Sequence, residues 1–477
     1  MTDAPDPRLS RGALIALVVG SMVGAGIFAI PSAFGRATGA LGALLAWGIA
    51  GTGMLMLALV FQTLSRRRPD LDTGIYAYAK AGFGDYPGFA SAFGYWIVCC
   101  LADVACLVLI KSTLGIFFPV FGDGTTVPAL VGASALLWGF HFLVLRGVRQ
   151  AAALNSIATV AKMVPLGVFI VVAVAGFRAD IFALNFWGSA APDAFDLFAQ
   201  VRNTMLVTVF VFVGIEGASV YSRYARNRGD VGIATVLGFL GVLALLVLVT
   251  MLSYGALLRT ELAALQAPSL AGVMEALVGR WGTVFISVGL LVSVLGNYLS
   301  WSLLAAEVLH SAAGSHTMPS FLARENGHGV PSAALWTTNI VIQAFMVVTY
   351  FAEHAFTLAL KMTGSMTLVP YLLVAAYGLK IAWTRETYVA DPGGRDKDVI
   401  VGALAAAYAA AMIVAAGPKF LLLSALLYAP GTALFVMARR QSGASVFAST
   451  RERAVFAAVT AAAAAALYGL ASGALSV

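Results

Sequence analysis

Residues 20–31 read Gly-Ser-Met-Val-Gly-Ala-Gly-Ile-Phe-Ala-Ile-Pro, and they lie within the first long apolar segment of the chain. Glycine costs about 1 kcal/mol relative to alanine in a helix interior and proline about 3 kcal/mol, so this stretch predicts a broken helix. Broken backbone at membrane depth is tolerated only where it is buried in protein or lines a wet cavity. Residues 211–219, Val-Phe-Val-Gly-Ile-Glu-Gly-Ala-Ser, interrupt a second apolar segment and add a carboxylate. Two interrupted helices in corresponding halves of a multi-span chain indicate a transport site near the middle of the membrane.

The composition predicts an all-α integral membrane protein. Hydrophobic residues make up 60% of the 477 residues and charged residues 11%, whereas soluble domains have about 25% charged residues. The net charge is +7, and the cations lie in short loops instead of on one face. The expected partner is therefore the lipid bilayer and not nucleic acid. The first apolar run is long enough to span and is expected to stay in the mature chain, without a cleavable signal peptide. The three cysteines share one apolar segment, which argues against a disulfide framework.

Apolar stretches of about 20 residues predict 12 or 13 transmembrane helices, the last of them Ala-rich and the least clear. A tight turn at residues 417–419 separates the eleventh segment from the twelfth. The segments are residues 12–35, 40–64, 88–118, 126–146, 152–177, 201–222, 232–257, 281–309, 332–352, 356–382, 398–416, 418–438 and 454–474.

Lysine and arginine in the short loops predict the orientation. With a cytoplasmic N-terminus, nineteen of these cations lie in inside loops and five in outside loops, which places a multi-pass protein in the inner or plasma membrane. Segments 1–5 and 6–10 then enter from opposite sides, as an inverted repeat requires. We expect residues 1–382 to form a transport core, and residues 383–477 to provide peripheral packing or oligomer contacts such as those of a homodimer.

Five ionisable side chains fall well inside apolar segments, where charge is costly and usually faces a cavity or another charge. They are Asp103, Lys111, Lys162, Glu216 and Lys361. Four of them also have a structural interpretation. The side chains of Lys111 and Lys361 can extend to the interface, Lys162 can form an ion pair, and Glu216 can cap exposed N–H groups at the break. No histidines have metal-ligand spacing and no catalytic cluster is present, so we expect no metal, no cofactor and no enzymatic activity.

Six motifs in this chain resemble those of the amino acid–polyamine–organocation transporters, and in particular the basic amino acid antiporters. Residues 77–86, Ala-Tyr-Ala-Lys-Ala-Gly-Phe-Gly-Asp-Tyr, look most like arginine/ornithine exchangers. The motifs are residues 20–28, 74–79, 95–96, 214–219, 301–304 and 369–372.

The resemblance implies a five-plus-five inverted-repeat (LeuT-like) fold with discontinuous helices 1 and 6. It also implies sodium-independent exchange of a basic amino acid, arginine or lysine, for ornithine or a related amine by alternating access. The substrate α-carboxylate would bind N–H groups around Gly24, Ala25 and Gly26, as an anion does at a helix N-terminus. The other implied substrate contacts are the carbonyls of Met22, Phe210 and Val213 for the α-ammonium, and Cys99, Asp103, Trp301 and Lys361 for the side chain. The implied coupling and gating residues are Lys162, Glu216 and Phe210, and Glu216 is also counted among the implied substrate contacts.

Several positions depart from the pattern of the arginine exchangers. Asp103 stands where they often have asparagine, and Phe210 where they have tryptophan. Lys111 and Lys361 would repel a cationic side chain unless they face away or pair with Asp103. Whether the substrate or Lys361 neutralises Asp103 stays open, as does whether Trp301 stacks on substrate or faces core or lipid.

A proton-coupled symporter or uniporter for neutral or other amino acids is therefore an alternative. A channel or receptor fits less well, because channels need a continuous pore, usually built from symmetric subunits.

Overall fold

The computed structural model describes residues 10–71, 75–147, 162–188, 194–216, 228–351, 355–389 and 391–475. Within these ranges it is helical and contains no β-strand. The α-helices are α1 (Arg11–Met22), α2 (Ile30–Ala37), α3 (Ala40–Arg67), α4 (Ile75–Phe83), α5 (Asp85–Phe117), α6 (Val127–Leu145), α7 (Met163–Ala175), α8 (Ala179–Leu184), α9 (Ala194–Phe212), α10 (Arg228–Ala256), α11 (Arg259–Ala264), α12 (Ser269–Val278), α13 (Arg280–Gly314), α14 (Ser332–Tyr350), α15 (Ala355–Trp383), α16 (Arg395–Gln441) and α17 (Thr450–Ala471). Three short 3-10 helices cover Ala25–Ala29, Pro119–Phe121 and Ser320–Ala323.

The first predicted break is confirmed. Helix α1 stops at Met22, Gly24 is extended, and the chain continues as the 3-10 helix Ala25–Ala29 and then α2. The two halves are bent by 41°. Pro31 lies in the first turn of α2, where its missing N–H breaks no intrahelical bond. Glycine and proline therefore set both the position of the break and the restart of the helix.

The second break follows α9 and touches the first. Residues 213–216 form a turn in which Gly214 has φ +108°, a conformation that residues with a side chain rarely adopt. A Cβ added there would lie 2.8 Å from the Ser21 carbonyl oxygen. The Ser21 hydroxyl donates to the Gly214 carbonyl at 2.8 Å. A hydrogen bond thus joins the two breaks. The rest of the predicted sixth segment, residues 217–222, lies outside the described residues.

The predicted spans reappear with modest changes in their bounds. Among the described residues, ten helices are long and apolar enough to cross a membrane, and the bent pair around the first break supplies an eleventh span. Helix α16 contains a non-helical residue, Gly417 (φ +75°, ψ 167°), at the turn predicted between two segments. Helix α17 is the thirteenth predicted segment, and α7 is the described part of the fifth. Residues 152–161 fall outside the described ranges.

Helix α5 lies in the middle of the bundle. Every residue of its most apolar eighteen-residue stretch is buried, and it packs chiefly against α15 and α13. It carries Tyr95, Cys99 and Asp103 into the interior. A helix that is apolar all round is expected to be buried, and this one positions its polar residues between the two halves of the core.

Some elements were not predicted from sequence. The short helices α8, α11 and α12 lie in connections, and each is well below spanning length. Helix α9 begins at Ala194 and not near residue 201, because polar side chains in its first turns are hydrogen-bonded. The Gln200 amide donates to Asp196 at 2.8 Å and accepts from the Gly39 N–H at 2.9 Å. Tertiary contacts therefore hold a polar extension that hydropathy alone does not reveal.

Candidate substrate site

A small cavity lies where the two breaks meet. Its volume is about 20 Å³, close to the space that one water molecule needs. It is lined by Ser21, Met22, Gly24, Ala25, Gly26, Ala102, Cys106, Phe210, Val211, Val213, Asn297, Trp301 and Thr363. A central cavity of this size, enclosed by both broken helices, must widen to admit an amino acid.

The first break forms one wall of the cavity from bare backbone. The first N–H groups of the helix restarting at Ala25 have no intrahelical acceptor, and the positive end of the helix dipole favours an anion there. A Cβ at Gly24 would lie 2.5 Å from the Asn297 amide nitrogen, and one at Gly26 would lie 2.7 Å from Val211 Cγ1. The space beside both glycines is therefore already occupied, and side chains there would close the cavity.

Seven of the residues predicted to bind substrate line this cavity: Met22, Gly24, Ala25, Gly26, Phe210, Val213 and Trp301. Cys99, Asp103, Glu216 and Lys361 do not line it. Asn297, Cys106 and Thr363 line it but were not predicted. Asn297 precedes Trp301 by four residues on the same helix face, a spacing that could have indicated it.

Glu216 links three helices behind the second break. Its carboxylate accepts hydrogen bonds from the Tyr95 hydroxyl on α5, from the Tyr371 hydroxyl on α15 at 2.7 Å, and from the Gly214 N–H at 3.2 Å. The expected contact between the carboxylate and exposed backbone N–H groups is thus confirmed. Because these bonds join the break to two long helices, any opening of the break must rearrange them.

Lys162 contacts helix α1 just before the first break. Its ammonium donates a hydrogen bond to the Gly20 carbonyl in the last turns of α1, and the residue is only 2% exposed. A buried ammonium thus holds a carbonyl of the first segment, where the sequence suggests an ion pair as the structural role. This hydrogen bond ties the end of α1 to the residue that precedes α7.

Asp103 is completely buried, and neither carboxylate oxygen has a hydrogen-bond partner among the described residues. It follows Ala102, which lines the cavity, and it interacts electrostatically with Cys106 and Tyr298. It forms no ion pair with Lys361, whose ammonium lies 5.7 Å from the centre of the Phe420 ring. Burial of an unpaired charge is costly, so this carboxyl requires a cation or a proton.

Lys111 and Lys361 share a second, larger cavity of about 610 Å³. We call it the vestibule; its charged lining residues are Arg36, Lys111, Asp123 and Lys361. The resemblance placed Lys361 in the side-chain pocket beside Asp103, but the structure places it in the vestibule. Both lysines therefore face a polar cavity instead of the Asp103 carboxyl.

The fold and the central cavity define a class of protein. Two broken helices meet at a small enclosed cavity inside a bundle of membrane-spanning length, which is the arrangement of a multi-pass membrane transporter. A profile of the family described as amino acid permease matches residues 9–447. The chain belongs to this family, and the resemblance to the amino acid–polyamine–organocation transporters is confirmed.

Known proteins similar to this chain agree with that assignment. An arginine/ornithine antiporter of Pseudomonas aeruginosa is 52% identical, with all of both chains covered. An L-lysine transport protein of Corynebacterium glutamicum is 42% identical over 99% of this chain and 97% of that protein. The crystal structure of MhsT in complex with L-phenylalanine matches 87% of this chain and all of that chain, with a TM-score of 0.61 and 14% identity. That similarity supports the inverted-repeat fold alone.

Proposed function

We propose that the protein is a sodium-independent antiporter that exchanges arginine or lysine for ornithine or a related amine by alternating access. The observation that carries the proposal is the junction of the two breaks, where the Ser21–Gly214 hydrogen bond closes a small cavity against bare backbone. The names of the arginine/ornithine and lysine relatives support a cationic amino acid as substrate. The substrate α-carboxylate would bind the N–H groups at Gly24, Ala25 and Gly26.

The substrate's cationic side chain would be neutralised by Asp103. This carboxyl is buried without a hydrogen-bond partner among the described residues, next to the cavity-lining Ala102. When the cavity widens around a substrate, a guanidinium or ammonium would supply the missing partner. Cys99 and Trp301 would contribute the apolar wall of the same pocket, and Phe210 would act as its lid.

Lys162 and Glu216 would couple binding to movement. Lys162 holds the end of α1, and Glu216 holds the second break to α5 and α15. The family resemblance also matches Lys162 to a lysine that stands where sodium-coupled relatives bind an ion, so its ammonium would take the place of sodium. Both side chains would exchange partners as the protein alternates between its two open states.

We further propose the orientation and organisation that the loop charges favour. The N-terminus would be cytoplasmic in the cell inner membrane, so the vestibule opens to the outside. Residues 1–382 would form the transport core and residues 383–477 a peripheral unit. Helix α17 supports this division because it packs mainly on α16, and its outer surface is available for a homodimer.

Counterflow in proteoliposomes tests the proposed function. Vesicles loaded with ornithine should accumulate external labelled arginine without sodium, and empty vesicles should not. Lysine and leucine as internal substrates define the substrate range. Uptake of equal rate into empty vesicles would favour the channel alternative, and dependence on a proton gradient would favour proton-coupled transport.

Replacing Asp103 with asparagine should weaken arginine binding by about tenfold to a hundredfold. A hydrogen bond to a charged group contributes about 1.5–3 kcal/mol, and 1.4 kcal/mol corresponds to about tenfold in affinity. Leucine affinity should hardly change. Competition binding of arginine, ornithine and leucine measures the effect.

The Asp398→Asn variant is a control, because it also removes the charge of a buried carboxylate. Unlike Asp103, Asp398 already accepts hydrogen bonds from Thr63 and Tyr388. If Lys361 were the true partner of Asp103, Asp103→Asn would leave a buried ammonium and Lys361→Met would partly restore function. An unchanged arginine affinity in Asp103→Asn would contradict the proposed role.

A further inference from the structure

The vestibule has an excess of positive charge. Three of its four charged lining residues, Arg36, Lys111 and Lys361, are cations, and Asp123 is the only carboxylate among them in the described residues. A cation-rich vestibule is unexpected for a transporter of cationic amino acids. These cations are therefore expected to bind a part of the substrate other than its side chain, or a different ligand.

Lys111 interacts electrostatically with the Asp123 carboxylate, but no hydrogen bond or ion pair joins the two side chains. It is 2% exposed and lines the vestibule, yet its ammonium makes no hydrogen bond or ion pair within the described part of the chain. The Lys361 ammonium has only the Phe420 ring, 5.7 Å from the ring centre. A buried ammonium without a partner is costly. Lys361 is half-buried, and two lysines without a bonded carboxylate around one cavity indicate a site for an anionic group.

The other two charges are already engaged. The Arg36 guanidinium donates to the carbonyls of Ala263 at 2.9 Å and Leu265 at 3.2 Å. The Asp123 carboxylate accepts from the Thr125 hydroxyl at 2.5 Å and the Thr125 N–H at 3.2 Å. The Thr125 hydroxyl holds the pKa of Asp123 below its usual range, so this carboxylate stays ionised at neutral pH. The two lysines are left for a ligand.

The vestibule lies directly outside the central cavity. Three helices line both cavities and place residues three positions apart in the two: Gly26 and Ala29, Phe210 and Val207, and Thr363 and Leu360. Three residues of helix correspond to roughly 5 Å. A molecule held in the vestibule is thus about one helical turn from the bare backbone of the first break.

We propose that Lys111 and Lys361 bind the α-carboxylate of an amino acid arriving from outside, before it enters the central cavity. The inference rests on the proposed function and orientation. It adds to them an outer binding site formed by Lys111 and Lys361, which we call the station. An amine without a carboxylate meets only repulsion from the two lysines. The vestibule therefore selects amino acids over decarboxylated amines at the outer face.

Transport kinetics on the two faces test this station. In ornithine-loaded proteoliposomes, Lys111→Met with Lys361→Met should raise the KM for external arginine by roughly fivefold to tenfold, as expected for charged contacts in a partly hydrated site. The maximal rate and the KM on the inner face should change little. Wild type should prefer arginine to argininamide, which lacks the carboxylate. In the double variant that preference should become smaller on the outer face, and the part that remains should be the contribution of the N–H groups in the central cavity. Lys111→Arg keeps the charge and should retain the wild-type preference.

Lys419→Met is the matched control, because Lys419 is a nearby lysine that does not line the vestibule. An unchanged external KM and an unchanged arginine-to-argininamide ratio in the double variant would overturn the proposal. If acetate or chloride inhibits wild type, and the variants relieve that inhibition without altering the ratio, the ligand is a free anion and the assignment to substrate is wrong.

A failure of the proposed function is distinguishable from a failure of the station. Absence of ornithine-dependent arginine uptake by wild type overturns the proposed function. Calorimetric binding of arginine and argininamide to wild type and to the double variant then still measures the carboxylate preference. A smaller preference in the variant than in wild type supports the station, and an equal preference in both proteins overturns it.

Discussion

Replacing Gly26 with leucine should abolish substrate binding while the protein remains folded and inserted. Gly26 is part of the bare backbone of the first break, and a Cβ there would lie 2.7 Å from Val211 Cγ1 and 2.9 Å from Phe210 Cε1. The central cavity has only about 20 Å³ to absorb a larger side chain. A leucine would therefore occupy the space that the substrate carboxylate needs. Calorimetry with arginine should show no detectable heat of binding.

Gly48→Leu provides the control for this prediction. Gly48 lies in α3, and a Cβ there would meet nothing within 4 Å, so the same substitution should leave binding intact. Gly26→Ala adds only the Cβ and should weaken binding less than leucine does. Size-exclusion behaviour and thermal unfolding establish that each variant is folded. Wild-type affinity in a folded Gly26→Leu protein would show that the substrate does not approach this backbone.

Replacing Lys162 with alanine should slow exchange far more than it weakens binding. The Lys162 ammonium bonds to the Gly20 carbonyl but does not line the central cavity, so its loss leaves the substrate contacts in place. A hydrogen bond from a charged donor contributes about 1.5–3 kcal/mol, which corresponds to a loss of about tenfold to a hundredfold in rate if the bond guides the movement of α1. Counterflow rate and equilibrium affinity, measured on the same preparation, separate the two effects.

Lys380→Ala is the matched control, because Lys380 also donates to a backbone carbonyl, that of Gly82 at 2.7 Å, away from the breaks. Its removal should affect rate and affinity much less than removal of Lys162. Equal losses of rate and affinity in Lys162→Ala would mean that Lys162 supports the geometry of the site without guiding its movement.

The two broken helices could be predicted because their causes are local. Gly24, Gly26 and Pro31 disfavour a continuous helix wherever they occur in a chain, and Gly214 takes a positive φ that other residues rarely adopt. The turn at Gly417 was predictable for the same reason. Most of the predicted segments also appear as helices, since apolar stretches of spanning length have few other stable environments.

The location of the charged side chains was only partly predictable. Sequence indicated that Lys162 and Glu216 face the interior of the bundle, because charge is costly in lipid. It did not indicate that Tyr95 and Tyr371 hold Glu216, since these residues come from helices far apart in the chain. The positions of Lys111 and Lys361 in a shared vestibule likewise depend on how α5 and α15 are rotated.

The sequence by itself therefore determined the class of fold, the positions of both breaks and the backbone that forms one wall of the cavity. Each of these follows from residue types acting within one or two helical turns. Only the tertiary structure decided that Asn297 and Thr363 complete the central cavity, that Asp103 lies buried beside it, and that Lys361 faces the vestibule. These placements depend on the rotation and relative height of packed helices, and close packing between distant segments sets both.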